Sequence, residues 1–334
     1  MNAAFLTETC YQGKWPRDFN NIRTEIAWQI TLDSTHYNIH NYEQVKGYDV
    51  VFIIFPKALV KLNAIGIEMS YPNSERDEHN IKIYSKPVVE TLKKYNTTVC
   101  YIQEGPAWIF NDYDLPTQFN FYNQLAECDI IFAHNEYDTH FYKGLFPNKK
   151  VSVIPSLMIP PSNIQALPIK ENKAIISGNF AKWYGGFQSY IVASEFECPI
   201  FVPSMHCKRT GEESVPNLTH LPYMTWADWI EHISSYKYAV SLMPTVAAGT
   251  FSMNMAYHKI PCIGNENVDT QRILFPELSI DVNDIHMARF LAIQLLKDKD
   301  FYEHVSYYAR NTLNNTCYLN KEKWLDMVTG ILST

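Results

Sequence analysis

The sequence predicts an α/β protein built from two Rossmann-like, doubly wound domains, each a parallel sheet flanked by helices. Three observations carry this. Short apolar runs ended by proline, Val50 to Phe55 before Pro56 and Tyr238 to Met243 before Pro244, have the length and composition of buried parallel strands. Helical patterns alternate with such runs, and that alternation demands crossover connections in a parallel sheet. The rhythm stops at Pro155 to Pro168, which holds four prolines and no charge, and then restarts. A chain of 334 residues also exceeds one ordinary core. The expected division is a first domain over 1–158, a linker over 159–171, a second domain over 172–319 and a final helix over 320–334 that reaches back to the first domain.

In the first half, Ala3 to Thr7 reads as a strand, and Glu8 to Asn21 as a polar, aromatic loop carrying Lys14 and Arg17. Asn21 is placed to cap a helix through Ile30, with Ile22, Ile26 and Ile30 on one face. After the Val50 to Phe55 strand, a polar stretch precedes a helix near Ile83 to Tyr95. Thr98 to Ile102 is a strand ending at Gln103-Glu104-Gly105-Pro106. A helix over Leu115 to Cys128, a strand over Asp129 to Ala133, a helix over Glu136 to Phe146 and a strand over Val151 to Ile154 complete this half.

In the second half, Ala174 to Ser177 is a strand leading into Gly178-Asn179-Phe180-Ala181-Lys182, then a helix from Phe187 to Phe196. Pro199 to Pro203 is a strand followed by a loop with His206, Lys208 and Arg209. Thr225 caps a helix through Tyr236, with Asp228 completing a capping box. Tyr238 to Met243 is the next strand, and a small-residue helix starts near Ala247 and stops by His258, ahead of Pro261. Cys262 to Gly264 is a strand, and helices follow over Asp284 to Lys297, Asp300 to Asn311 and Lys321 to Leu332.

Composition narrows the function. A net charge of −7 argues against a protein that coats nucleic acid by bulk attraction, and leaves a local basic groove open. Seven scattered cysteines without a C-x-x-C pair fit reduced thiols better than a disulfide framework or a zinc site. No apolar run approaches the ~20 residues of a membrane span, and there is no N-terminal basic-then-apolar signal. The expectation is a soluble, cytoplasmic protein, in a host cytoplasm if the source is a phage. Walker, Gly-x-Gly-x-x-Gly, Gly-x-Ser-x-Gly and His-Glu-x-x-His motifs are absent. The strand, small-residue turn and helix around Lys237 to Pro261 form an anion site in outline, because unpaired amides and the helix dipole both favour phosphate.

Two doubly wound halves place a central cleft between the carboxyl ends of their sheets, and the chain as a whole resembles the GT-B glycosyltransferases. The turn Ser177 to Lys182 is similar to the glycine-containing loop by which that family approaches a donor diphosphate. Aligned on Pro261, Val246 and Asn254 stand where retaining members carry two glutamates. Gln103-Glu104-Gly105-Pro106 and Lys323-Trp324 resemble segments of phage DNA beta-glucosyltransferases, where a carboxylate after a similar strand is the base.

The resemblance implies a nucleotide-sugar donor, most simply a UDP-sugar, and an acceptor hydroxyl on a hydroxymethylated DNA base or on a glycan or small molecule. A duplex acceptor would require base flipping. The base candidates are Glu104, Asp112 and His134. Donor-binding candidates are Gly178, Asn179, Lys182, Arg209, Thr250, Ser252 and Asn254, the last able to hydrogen-bond a ribose hydroxyl. Acceptor-binding candidates are Lys14, Arg17, Arg23 and Trp108. No divalent metal is expected. A sugar-nucleotide epimerase and a catalytically silent sugar-nucleotide-binding protein are the rival readings, the second because Val246 and Asn254 replace acids.

Overall fold

The computed structural model describes residues 1–55, 60–63, 66–69, 82–83, 88–103, 105–112, 115–161, 170–181, 183–203 and 211–333. The chain divides into two compact units, one of Met1–Arg17 and Trp28–Ile154, the other of Asp18–Ala27 and Pro155–Thr334.

The first unit contains β1 (Ala3–Thr7), the second half of α1 (Thr24–Thr31), β2 (Thr35–Asn38) and β3 (Val50–Ile53). Three short antiparallel strands follow, β4 (Val60–Asn63), β5 (Gly66–Met69) and β6 (Lys82–Ile83). Then come α2 (Val88–Lys93), β7 (Thr98–Ile102), α3 (Leu115–Glu127), β8 (Ile130–Ala133), α4 (Glu136–Leu145) and β9 (Lys150–Val153). Its main sheet is parallel in the order β2-β1-β3-β7-β8-β9. The central strands β1, β3 and β8 are buried along their whole length, as the continuous apolar runs require. Side chains alternate across the sheet. Ala4, Leu6, Val51 and Ile53 join the cluster with Tyr101 and Phe121, while Phe5 stacks on Phe52 at 4.7 Å between ring centroids, with Phe132 beside it. Each such buried aromatic ring contributes roughly 2–3 kcal/mol through area removed from water.

The second unit contains β10 (Ala174–Ile176), α5 (Gly186–Ala193), β11 (Ile200–Val202), β12 (Leu218–His220), α6 (Trp226–Ile233) and β13 (Tyr238–Ser241). It continues with α7 (Thr250–Tyr257), β14 (Cys262–Asn265), α8 (Asp269–Leu274), β15 (Ser279–Ile280), α9 (Ile285–Lys297), α10 (Lys299–Asn315) and α11 (Lys321–Ser333). Its parallel sheet runs β12-β11-β10-β13-β14-β15. Helix starts follow their capping residues. Thr225 exchanges hydrogen bonds with Asp228, Asp284 accepts from Met287 N at 2.9 Å, and Asp298 accepts from Phe301 N at 2.9 Å. Helix α9 buries Ala288, Leu291, Ala292 and Leu295, an i, i+3, i+4, i+7 face. Helix α11 is anchored by the fully buried Trp324, whose indole Nε1 donates to Pro155 O at 2.7 Å.

The structure corrects some boundaries. Helix α7 starts at Thr250 and not near Ala247, because Gly249 adopts φ +72 and the chain enters the helix from a left-handed residue. The helix expected from Ile83 is α2 and starts at Val88, while Ile83 closes β6. Strands β2, β12 and β15 were not anticipated. The described cysteines are free thiols, and among the described residues no helix is long and apolar enough to cross a membrane.

Candidate functional site

In the second unit the strand order reverses direction between β10 and β13, the switch point outside whose carboxyl ends doubly wound sheets bind ligands. Two loops meet there: Ser177–Gly185, which follows β10, and Leu242–Gly249, which follows β13. Both are tightly built. Gly185 has φ +63, and a Cβ on it would fall on the Leu242 carbonyl; a Cβ on Gly186 would fall on the Asn179 carbonyl. Gly178 has its bare Cα against Tyr184. Gly185 allows the two loops to lie in backbone contact, while Gly178 and Gly186 allow the first loop to close on itself.

Side chains from the surrounding elements fix the second loop. Ser189 Oγ on α5 accepts from Leu242 N at 2.9 Å, Asn265 Nδ2 donates to Met243 O at 3.0 Å, and Thr270 Oγ1 donates to Gly249 O at 2.8 Å. Ser156 Oγ donates to Ala248 O. Against this satisfied background, two enclosed hydroxyls stand out. Ser177 Oγ and Thr245 Oγ1 are buried and have no hydrogen-bond partner among the described residues. Each follows one of the two strands that flank the switch point, and the Ser177 amide is itself tied to Val240 O at 3.0 Å. Buried hydroxyls without partners are costly unless a ligand supplies them.

The predicted donor residues fall in three places. Gly178 and Asn179 lie in the first loop; Asn179 is buried and its Oδ1 accepts from Ala181 N at 2.9 Å, shaping the turn. Thr250, Ser252 and Asn254 are on α7. Thr250 opens the helix and is half-buried, Ser252 Oγ donates to Gln271 Oε1 at 2.7 Å, and Asn254 is 4% exposed. With the Asn254 amide oriented to suit its neighbours, Trp229 Nε1 donates to its oxygen at 2.9 Å and its nitrogen donates to Thr250 O at 3.0 Å. Lys182 and Arg209 lie outside the described residues. The polar side chains that hold the second loop, Ser156, Ser189, Asn265 and Thr270, escaped sequence reasoning.

In the first unit the order reverses between β1 and β3. The segment after β1 folds back on β2: Gly13 pairs with His36, and Tyr11 stacks on Trp15 at 3.9 Å. Buried His36 is held between Thr7 Oγ1 at 2.8 Å and Tyr11 O at 2.5 Å, and burial lowers its pKa from the usual value. Lys14 pairs with Asp33 at 2.6 Å on the surface, and Arg17 is exposed. Arg23 belongs to the second unit, with its guanidinium 5.4 Å from the Tyr223 ring centroid. After β7, buried Gln103 Nε2 donates to Asp138 Oδ2 at 2.6 Å and to Gly105 O at 2.7 Å. Trp108 is 38% exposed, Asp112 ends the 3-10 turn Ile109–Asp112, and Glu104 lies outside the described residues. His134 follows β8 with its ring stacked on Trp28, 6.0 Å between centroids. Among the described residues no group of three or more acidic, His or Cys side chains is arranged to hold a metal.

No protein-family model matches the chain, and neither does any curated protein sequence. Solved structures do. An alpha-glucosyltransferase in complex with UDP and a 13-mer DNA containing an HMU base matches with TM-score 0.61 at 11% identity, covering 100% of both chains. HepE from Anabaena, in complex with UDP and glucose, matches with TM-score 0.65 at 8% identity over 100% of both chains. Sucrose-phosphate synthase from Thermosynechococcus elongatus matches with TM-score 0.63 at 11% identity, over 100% of this chain and 99% of that one. Two parallel six-stranded sheets with flanking helices, matched over the full chain by these structures, make this a GT-B fold.

Proposed function

We propose that the protein is a glycosyltransferase that takes a sugar from a nucleoside diphosphate sugar, most simply a UDP-sugar, and transfers it to an acceptor hydroxyl. The observation that carries this is the pair of enclosed, unpartnered hydroxyls, Ser177 Oγ and Thr245 Oγ1, at the switch point of the second unit. The matched structures solved in complex with UDP support the choice of nucleotide.

In this reading the diphosphate lies across the loops after β10 and β13. Ser177 and Thr245 hydroxyls donate to its oxygens. The start of α7 at Thr250 faces it with the positive end of the helix dipole. Lys182 and Arg209 are the assigned cationic groups, and they balance the charge that grows on the diphosphate as it leaves. Loop backbone already locked by Ser189, Asn265, Thr270 and Ser156 needs no reorganisation during the reaction. The acceptor oxygen attacks the anomeric carbon, the bond to the diphosphate oxygen breaks, and the hydroxyl proton passes to a base. Glu104 is the first assignment for that base, with Asp112 and His134 as the alternatives. The reaction is assigned without a metal. Lys14, Arg17, Arg23 and Trp108 are the proposed acceptor contacts, and the cytoplasm is the proposed compartment.

For the acceptor we favour a hydroxymethylated base in DNA over a glycan or small molecule, on the strength of the DNA-bound structure among the matches. Nucleotide release from a panel of UDP-sugars, with and without hydroxymethylated DNA, tests the whole reading. Release that depends on DNA supports it, and release with a glycan alone moves the acceptor. Interconversion of the sugar without an acceptor identifies an epimerase, and binding without turnover identifies a silent binder.

A further inference from the structure

The loop after β10 is held by a buried carboxylate, Glu212, that has a histidine beside it. Gly211, at φ +88, turns the chain into the short 3-10 segment Glu212–Ser214. Glu212 is only 3% exposed. Its Oε1 accepts from Phe180 N at 3.2 Å, and its Oε2 lies 3.0 Å from His220 Nε2 at the end of β12. Phe180 is the centre of the loop that the donor reading assigns to the diphosphate. On either side of it, Asn179 Oδ1 takes Ala181 N and Asn179 O takes Gly186 N at 3.2 Å.

A carboxylate buried to this extent costs several kcal/mol unless it is paired and hydrogen-bonded. Simple capping does not account for the arrangement, because the amide that the carboxylate takes belongs to Phe180, 32 positions away in another loop. A neutral side chain would fill the space with less desolvation. What the carboxylate adds is a charge-assisted bond to one backbone amide of a glycine-containing loop, with His220 Nε2 3.0 Å from its second oxygen.

We propose that Glu212 and His220 are positioning residues for the donor. They hold Phe180 N–H, and through it the backbone from Gly178 to Ala181, in the conformation that receives the diphosphate, without touching the donor themselves. The inference rests on the glycosyltransferase reading, specifically on the loop after β10 binding the nucleotide. It predicts that donor affinity depends on two residues outside the site, while the acceptor's KM does not.

The test compares UDP binding by calorimetry and donor and acceptor KM for the wild-type chain, Glu212→Ala, Glu212→Gln and His220→Gln, with circular dichroism and melting as fold controls. Glu212→Ala is expected to weaken UDP on the order of tenfold, the scale of one charge-assisted hydrogen bond. Acceptor KM is expected to stay at the wild-type value. Glu212→Gln keeps an oxygen for Phe180 N–H and is expected to recover UDP affinity to within about threefold. Hydrogen exchange of the peptide over 177–186 should quicken most in Glu212→Ala. A folded Glu212→Ala with wild-type UDP affinity overturns the inference. Should that variant not fold, His220→Gln decides: about threefold weaker UDP binding supports the proposal, and unchanged binding overturns it. Failure of the wild-type chain to bind any nucleoside diphosphate defeats the glycosyltransferase reading instead, and is distinct from either result.

Discussion

Gly185 and Leu242 are in backbone contact: the glycine sits at φ +63 with its Cα against the Leu242 carbonyl, leaving no room for a side chain. This contact joins the loop after β10 to the loop after β13 at the switch point. Gly185→Ala therefore meets two penalties, the left-handed conformation at roughly 1 kcal/mol and a displaced carbonyl at a further 1–3 kcal/mol. We expect stability to fall by about 2–4 kcal/mol in urea unfolding and UDP binding to be lost or strongly weakened. Wild-type UDP affinity in a folded Gly185→Ala protein would mean that the two loops do not form one site.

Ser177→Ala and Thr245→Val separate a ligand role from a structural one. Neither hydroxyl has a partner among the described residues, so removing it breaks no protein hydrogen bond. Loss of an unsatisfied buried polar group is neutral or stabilising. The expected result is an unchanged or slightly raised melting temperature without ligand, and a smaller rise on adding UDP. Each variant is expected to lose about five- to tenfold in UDP affinity. A fall in melting temperature of the free protein would show that the hydroxyls serve the fold.

How much of this was legible in the sequence depends on the range of the interactions. Apolar runs such as Tyr238 to Met243 and caps such as Thr225 and Asp284 act locally, and they placed most central strands and helices within a few residues. Strands β2 and β12, Thr-His-Tyr-Asn and Leu-Thr-His, are edge strands too short and too polar for alternation to mark them. The placement of Asp18–Ala27 with the second unit depends on contacts about two hundred positions away, such as Asn21 Oδ1 accepting from Trp226 N at 3.0 Å. The place of Gly178 and Asn179 in a turn after β10 was legible because a glycine loop after a strand is a local pattern. Glu212, Ser189 and Thr270 were not, since each acts on a backbone group far along the chain.

Glu104→Ala tests the assigned base. Because the residue is proposed to act on the acceptor, donor binding should survive while transfer falls by 100-fold or more, the scale of general-base catalysis. Single-turnover transfer and UDP calorimetry on the same preparation check both halves. Retained transfer would move the assignment to Asp112 or His134, and the matching Asp112→Asn and His134→Gln variants would then distinguish those two.

His258 makes the stability of the second unit pH-dependent. It is fully buried at the end of α7, and burial, aided by the charges of Lys170 and Arg310, lowers its pKa to about 4. The unfolded chain takes up a proton near pH 6.5, whereas the folded chain refuses it until about pH 4, so the unfolded state holds more protons in that window. Stability therefore rises with pH between these values. It is lost as the solution is acidified through 6.5, and the loss levels off below about 4. From pH 7.5 to pH 5 this single group is expected to cost about 2 kcal/mol. Urea unfolding at the two pH values, on the wild-type chain and on His258→Leu, isolates it, because every other titrating group is common to both proteins. The variant should show a loss smaller by about 2 kcal/mol. Equal losses in the two proteins would mean that His258 is charged in the folded state.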